Sequence, residues 1–150
     1  MLALLRKSGT TYAFDENILS DSSLSTFVGL EISSDNTYIV TCTELRKLLV
    51  MKKNPTGGYD LHQTITVFSN SDPVGSFDMS ADGQYLAAHS TTEMKIYKLN
   101  SGTENFDDYQ TISSLSSVSW VSLTSDGGHF VMSISMSGVK IYKNDGSSFS

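Results

Sequence analysis

Three segments of this sequence align without a gap: Ser34-Asp35-Asn36-Thr37-Tyr38-Ile39-Val40, Ala81-Asp82-Gly83-Gln84-Tyr85-Leu86-Ala87 and Ser125-Asp126-Gly127-Gly128-His129-Phe130-Val131. Their aspartates lie 47 and 44 residues apart. A second landmark runs Leu49-Val50-Met51-Lys52, Lys95-Ile96-Tyr97-Lys98 and Lys140-Ile141-Tyr142-Lys143, with Ala3-Leu4-Leu5-Arg6 in the same slot, and its basic residues step by 46, 46 and 45. A third sets Tyr59-Asp60-Leu61-His62-Gln63-Thr64-Ile65 against Phe106-Asp107-Asp108-Tyr109-Gln110-Thr111-Ile112, with Phe14-Asp15-Glu16-Asn17-Ile18 a weaker copy. Self-similarity at a period of about 20–50 residues marks stacked units, each too small to bury its own apolar face alone.

Within a unit the apolar residues recur every second position, which is the strand period and not the helical one. Leu30 and Ile32 flank Glu31, Phe77 and Met79 flank Asp78, and Val121 and Leu123 flank Ser122. The Asp-Gly step that follows predicts a tight hairpin, because Gly takes a positive φ without a Cβ clash and Asp bonds back to its own turn. Asn36 stands in for Gly in the first copy. A third strand is predicted over Tyr38 to Cys42, Tyr85 to His89 and Phe130 to Ile134. The Ile-Tyr-Lys segment makes the fourth, and the Tyr-Gln-Thr-Ile segment opens the next unit. No long amphipathic helix is present in the pattern.

Four strands in about 45 residues is the size of a propeller blade. On its Ser/Ala-Asp-Gly turns the chain resembles the β-propeller repeat superfamily over nearly its whole length. It departs from the WD40 pattern in lacking the Gly-His and Trp-Asp pairs, and it shows the Kelch double glycine only as Gly127-Gly128. The resemblance implies an all-β, propeller-like array of about three four-stranded antiparallel blades plus one extra N-terminal strand. The extra strand is expected at 2–7 and the blades at about 14–53, 59–99 and 106–144. They form one domain over 1–150, which is either complete or a segment of a longer array.

Composition narrows the partners. A formal charge of −6 and a pI near 4.8 oppose a phosphate-backbone binder, so nucleic acid is excluded as an expected partner. The chain has no run of about 18 apolar residues, and the opening Met1-Leu2-Ala3-Leu4-Leu5-Arg6-Lys7 is too short for a signal core, so no membrane insertion is expected. Without such a signal the chain is either cytosolic or a piece of something longer. The 26 serines and 14 threonines favour turns and exposed strands, and an extracellular or cell-surface setting over the cytoplasm. The single cysteine, Cys42, has no partner for an internal disulfide and reads as a buried structural thiol.

The chemistry-bearing residues do not gather in the sequence. His62, His89 and His129 occupy different repeat positions, and Asp35, Asp82 and Asp126 read as turn formers because no further acids follow them as a calcium loop would require. Arg6, Lys52, Lys98 and Lys143 read as charges that discourage pairing at an edge strand. No Ser-His-Asp order, phosphate loop or paired carboxylate stands out, so no catalytic residue, metal or cofactor is assigned. Three blades and a strand cannot close a ring, since propellers use about four to eight. The expected function is therefore a non-enzymatic assembly module whose ends pair with other copies of the chain, as a ring or an extracellular filament. Leu2, Leu4, Leu5, Ile141, Tyr142 and Phe149 are the expected interface. The alternative is a protein- or carbohydrate-binding module that uses loops of one face, with Trp120 and His129 as ligand contacts.

Overall fold

A computed structural model describes residues 2–8, 11–19, 27–43, 46–68, 72–135 and 138–150, the side chains of 2–8, 12–19 and 28 excepted. Among these residues there are thirteen strands and no helix. They are β1 (Leu2–Ser8), β2 (Thr11–Leu19), β3 (Phe27–Ile32), β4 (Tyr38–Thr43), β5 (Lys47–Lys53), β6 (Tyr59–Thr66), β7 (Ser76–Met79), β8 (Tyr85–His89), β9 (Met94–Leu99), β10 (Phe106–Ile112), β11 (Val118–Leu123), β12 (His129–Ile134) and β13 (Gly138–Lys143). Consecutive strands pair antiparallel into sheets β3-β4-β5-β6, β7-β8-β9-β10 and β11-β12-β13, with β1 and β2 in a sheet of their own. This is the expected all-β array of blades, and where one extra N-terminal strand was expected there are two, β1 and β2.

The sheets are set one strand later than the sequence units. β6 and β10 carry the Tyr-Gln-Thr-Ile segments, and they pair with β5 and β9 instead of opening the next unit. Sheet limits fall at 27–66, 76–112 and 118–143 where the repeat places units at 14–53, 59–99 and 106–144. The short connections at 54–58 and 100–105 fold back as hairpins, which costs the least loop entropy, whereas β7 and β11 each begin the next sheet. Lys52 and Lys98 accordingly stand on third strands, each covered by a fourth. They do not guard an edge.

The repeated turn is a side-chain device. Asn36, Gly83 and Gly127 occupy the same position with φ of 58°, 69° and 63°. Asn tolerates the left-handed region better than other residues with a Cβ, which is why it replaces Gly there. Three residues upstream, Ser33, Ser80 and Thr124 donate their hydroxyls to Asp35, Asp82 and Asp126 at 2.6, 2.6 and 2.7 Å. The same hydroxyls accept the N–H of Tyr38, Tyr85 and His129, each at 2.9 Å. Each turn thus fixes the start of its following strand.

All three sequence landmarks meet at the seams between sheets. At the first seam, Tyr38 meets Phe106 edge-on at 5.7 Å, and the turn glycine Gly83 lies against the Tyr38 ring. The Gln63 amide donates to the Phe106 carbonyl (3.0 Å) and accepts the Phe106 N–H (2.8 Å). At the second seam Tyr85 meets Phe149 at 5.7 Å, Gly127 lies against Tyr85, and Gln110 clamps Phe149 through the same two bonds at 3.0 and 2.7 Å. Lys98 lies over the rings of Tyr85 and Tyr109. The apolar cores lie along these seams: Val40, Leu48, Phe68, Leu86 and Tyr97 in the first, Ile96, Val121, Phe130 and Met132 in the second. Burying such faces is the main stabilising term.

Candidate functional site

The first strands of successive sheets, β3, β7 and β11, stand side by side, each as the free edge of its sheet. In a propeller this edge borders the central channel. A cavity of about 220 Å³ opens there, lined by Gly29, Leu30, Glu31, Gly75, Ser76, Phe77 and Trp120 from all three sheets. Gly29 leaves room for the Phe77 ring, since a Cβ on it would fall 2.8 Å from Phe77 Cε1. Phe77 forms a buried apolar wall, and Trp120, which takes the repeat position of Gly29 and Ser76, is 62% exposed.

Strand alternation turns Glu31, Asp78 and Ser122 to one register position on the three strands, and this register decides their partners. Asp78 reaches across to the third sheet, where one carboxylate oxygen accepts the Ser122 hydroxyl (2.9 Å) and the Leu123 N–H (2.6 Å). The position that Ser122 fills for Asp78 is filled for Glu31 by Asp78 itself. A hydroxyl donor is thereby replaced by a like charge. No hydrogen bond reaches the Glu31 carboxylate among the described residues, and it is half-buried. Burial, and after it the charge of Asp78, hold the Glu31 carboxyl above the usual carboxylate range. Beside it the Ser76 hydroxyl accepts the Val121 N–H (3.2 Å) and keeps its own proton to donate.

His89 lies behind this cavity. Its ring is packed against Gly75, where a Cβ would fall 2.4 Å from His89 Cε1. Nδ1 bonds the Ser90 carbonyl (2.9 Å), and Nε2 is buried with no partner among the described residues. Burial pushes the imidazole below its ordinary pKa, so the ring is neutral at physiological pH. A second, more open hollow lies on the outer rim between Lys52, Pro55, Asp60 and His62, where Lys52 pairs with Glu104 and a His62 ring nitrogen contacts the Glu104 carbonyl (3.0 Å). No group of three or more His, Cys, Asp or Glu side chains is placed to hold a metal among the described residues.

Of the residues singled out from the sequence, Trp120 enters the cavity and His129 does not. His129 lies at the start of β12, exposed and paired across the sheet with Lys143. Leu2, Leu4 and Leu5 lie on β1, with their side chains outside the described residues. Ile141 is exposed on β13, Tyr142 stacks on Phe130 with ring centroids 4.5 Å apart, and Phe149 is buried in the second seam. Phe149 is therefore turned inward to this chain's own core. Cys42 is buried as expected, and burial pushes its thiol up to about 12. Sequence reasoning passed over Glu31 and Asp78 as the polar face of a strand. The available signal was their shared repeat slot, which sets two acids on adjacent strands.

No protein-family model matches the sequence, and no curated protein matches it either. Solved structures do. A candidate 6-phosphogluconolactonase from Bacteroides uniformis superposes with a TM-score of 0.80 at 16% identity, over 99% of this chain and 46% of that one. The fold is a propeller-like array of blades. The periplasmic gluconolactonase of Pseudomonas aeruginosa gives 0.69 at 15%, over 91% of this chain and 40% of that one. The WD40 repeats of RRP9 give 0.67 at 16%, over 89% and 40%. The chain spans less than half the length of each of these structures, and at such identities the likeness is one of fold.

The comparisons correct the functional expectation. A non-enzymatic assembly module was expected because the blades are few and no catalytic motif stands in the sequence. Propellers named as lactonases share this fold, so neither reason separates the chain from enzymes. A propeller site is assembled from single residues on different blades, a fold-scale distance apart in sequence, and leaves no local motif to find. The alternative of a separate binding module finds no support, and neither does a structural, filamentous or extracellular role.

Proposed function

We propose that this chain forms part of a propeller hydrolase that opens a sugar lactone at the channel-edge cavity. The observation that carries the reading is Glu31: a half-buried carboxylate without a hydrogen-bond partner, facing a second carboxylate, in a cavity with an aromatic wall. The lactonase names of the fold relatives support it, and the match to WD40 repeats, with the Ser/Thr-x-Asp-Gly/Asn turns, supports grouping the blades with the wider WD40-like propellers.

The chemistry follows from the charges. A carboxylate with a raised pKa is a stronger base than an ordinary one and lies closer to neutral pH, where proton transfer is most effective. Glu31 takes a proton from water as the water oxygen bonds to the lactone carbonyl carbon. The Ser76 O–H is placed to donate to the oxygen on which charge develops. Cleavage of the ring C–O bond then releases an alkoxide that recovers the proton from Glu31, so lactone and water give one hydroxy acid. Asp78, held by Ser122 and Leu123, stays in place as the neighbouring charge. The test is acid release from δ-gluconolactone above the spontaneous rate, measured with the protein and with Glu31→Gln. Loss of the excess rate in the variant is expected, and an unchanged rate would refute the assignment of Glu31.

A further inference from the structure

We infer that the cavity takes an uncharged sugar lactone and excludes one that carries phosphate, an inference that rests on the hydrolase reading above. Of the seven lining residues, Glu31 alone is charged, and the nearest charge acting on it is a second carboxylate, Asp78. Phosphate recognition needs guanidinium or ammonium groups, helix N-termini or clustered backbone N–H groups. Among the described residues the cavity lining has no Lys or Arg, and there is no helix. Lys52, Lys98 and Lys143 stand on third strands, away from this edge, and two of them are engaged: Lys52 with Glu104, and Lys98 with Tyr85 and Tyr109.

The same lining suits a neutral ring. Phe77 and the exposed Trp120 offer apolar surface to the C–H face of a sugar, while Glu31 and Ser76 offer an acceptor and a donor to its hydroxyls. Like charges in a partly desolvated site repel strongly, so a phosphate dianion brought beside Glu31 and Asp78 is disfavoured, and salt weakens that penalty.

The experiment compares δ-gluconolactone with 6-phosphogluconolactone on the full chain, with Glu31→Gln as the background. The expected result is a kcat/KM at least tenfold higher for the uncharged lactone, with the gap narrowing at 0.5 M salt relative to 0.05 M. Leu30→Lys, which places a cation at the cavity rim, is expected to narrow it further by raising the rate on the phosphorylated lactone relative to that on the uncharged one. Equal or better hydrolysis of the phosphorylated lactone overturns this inference and leaves the hydrolase reading standing. Hydrolysis of neither above the Glu31→Gln background overturns the hydrolase reading itself.

Discussion

Replacing Gln63 with alanine removes both arms of the first inter-sheet clamp at once. The Gln63 amide makes one bond to the Phe106 carbonyl and one to the Phe106 N–H, so truncation leaves a backbone donor and acceptor without their partner. A neutral hydrogen bond of this kind contributes about 0.5–1.5 kcal/mol net, and a partly buried group left unpaired adds to the loss. The expected destabilisation is about 2 kcal/mol, and for a chain of this length that lowers Tm by about 4–8 °C. Gln63→Glu keeps the acceptor for the Phe106 N–H and loses the donor, so it is expected to fall between wild type and Gln63→Ala. Gln84→Ala serves as control, since Gln84 is exposed and its hydrogen bonds among the described residues are those of its backbone, the N–H to Asp82 and the carbonyl from the Leu99 N–H. Urea unfolding followed by circular dichroism reads all three. A Gln63→Ala midpoint indistinguishable from that of the control refutes the clamp. Gln110→Ala is expected to cost the same about 2 kcal/mol, and the double variant the sum, because the two clamps share no partner.

Gly127→Ala forces a Cβ to within 2.3 Å of the Tyr85 ring at a φ of +63°, so a loss of about 2 kcal/mol or more is expected, whereas Asn36→Gly at the matching turn is expected to stay within about 1 kcal/mol of wild type; thermal melts decide both. Cys42 is expected not to react with a thiol reagent in the folded protein and to react on unfolding, and labelling in native buffer would contradict its burial. Stability is expected to fall on acidification in two stages. His89 is depressed below 6.5, so the unfolded chain takes up its proton first and stability present above about pH 6.5 is lost below it. Asp35 and Asp126 are held below 3.8 by turn hydrogen bonds, and Asp145 down to about 2 by the Ser147 hydroxyl and backbone N–H groups, so their contribution is lost below about pH 4. Glu31 acts in the opposite sense, its raised pKa favouring the fold as it gains a proton. A melt series across pH with wild type and His89→Gln checks the upper stage, which the variant should lack.

The fold was legible because its landmarks are the seam residues themselves. The Asp-Gly turns, Tyr38 and Tyr85, and Gln63 and Gln110 recur at one spacing since each must meet its counterpart on the next sheet. The phase of the sheets was not legible. A repeat has no marked beginning, and only the hydrogen bonds of β6 with β5 and of β10 with β9 show where one sheet stops. The hydroxyls of Ser33, Ser80 and Thr124 escaped notice because Ser is common throughout this sequence, so its recurrence carries little weight. Glu31 and Asp78 were visible as residues but not as neighbours. Their closeness depends on sheets 47 residues apart standing edge to edge, a relation that strand periodicity within one unit does not contain.

A seam built from fixed repeat positions has a developmental consequence for such chains. The middle sheet bears Tyr85 and Gln110 for the sheet that follows and Gly83 and Phe106 for the one before, so a duplicate of it arrives with both halves of its docking surface already written. Such an array can lengthen by copying, and each copy is then free to drift everywhere except at those few positions. The channel edge lies among the free ones, which is how neighbouring strands come to present glutamate, aspartate and serine at one and the same place.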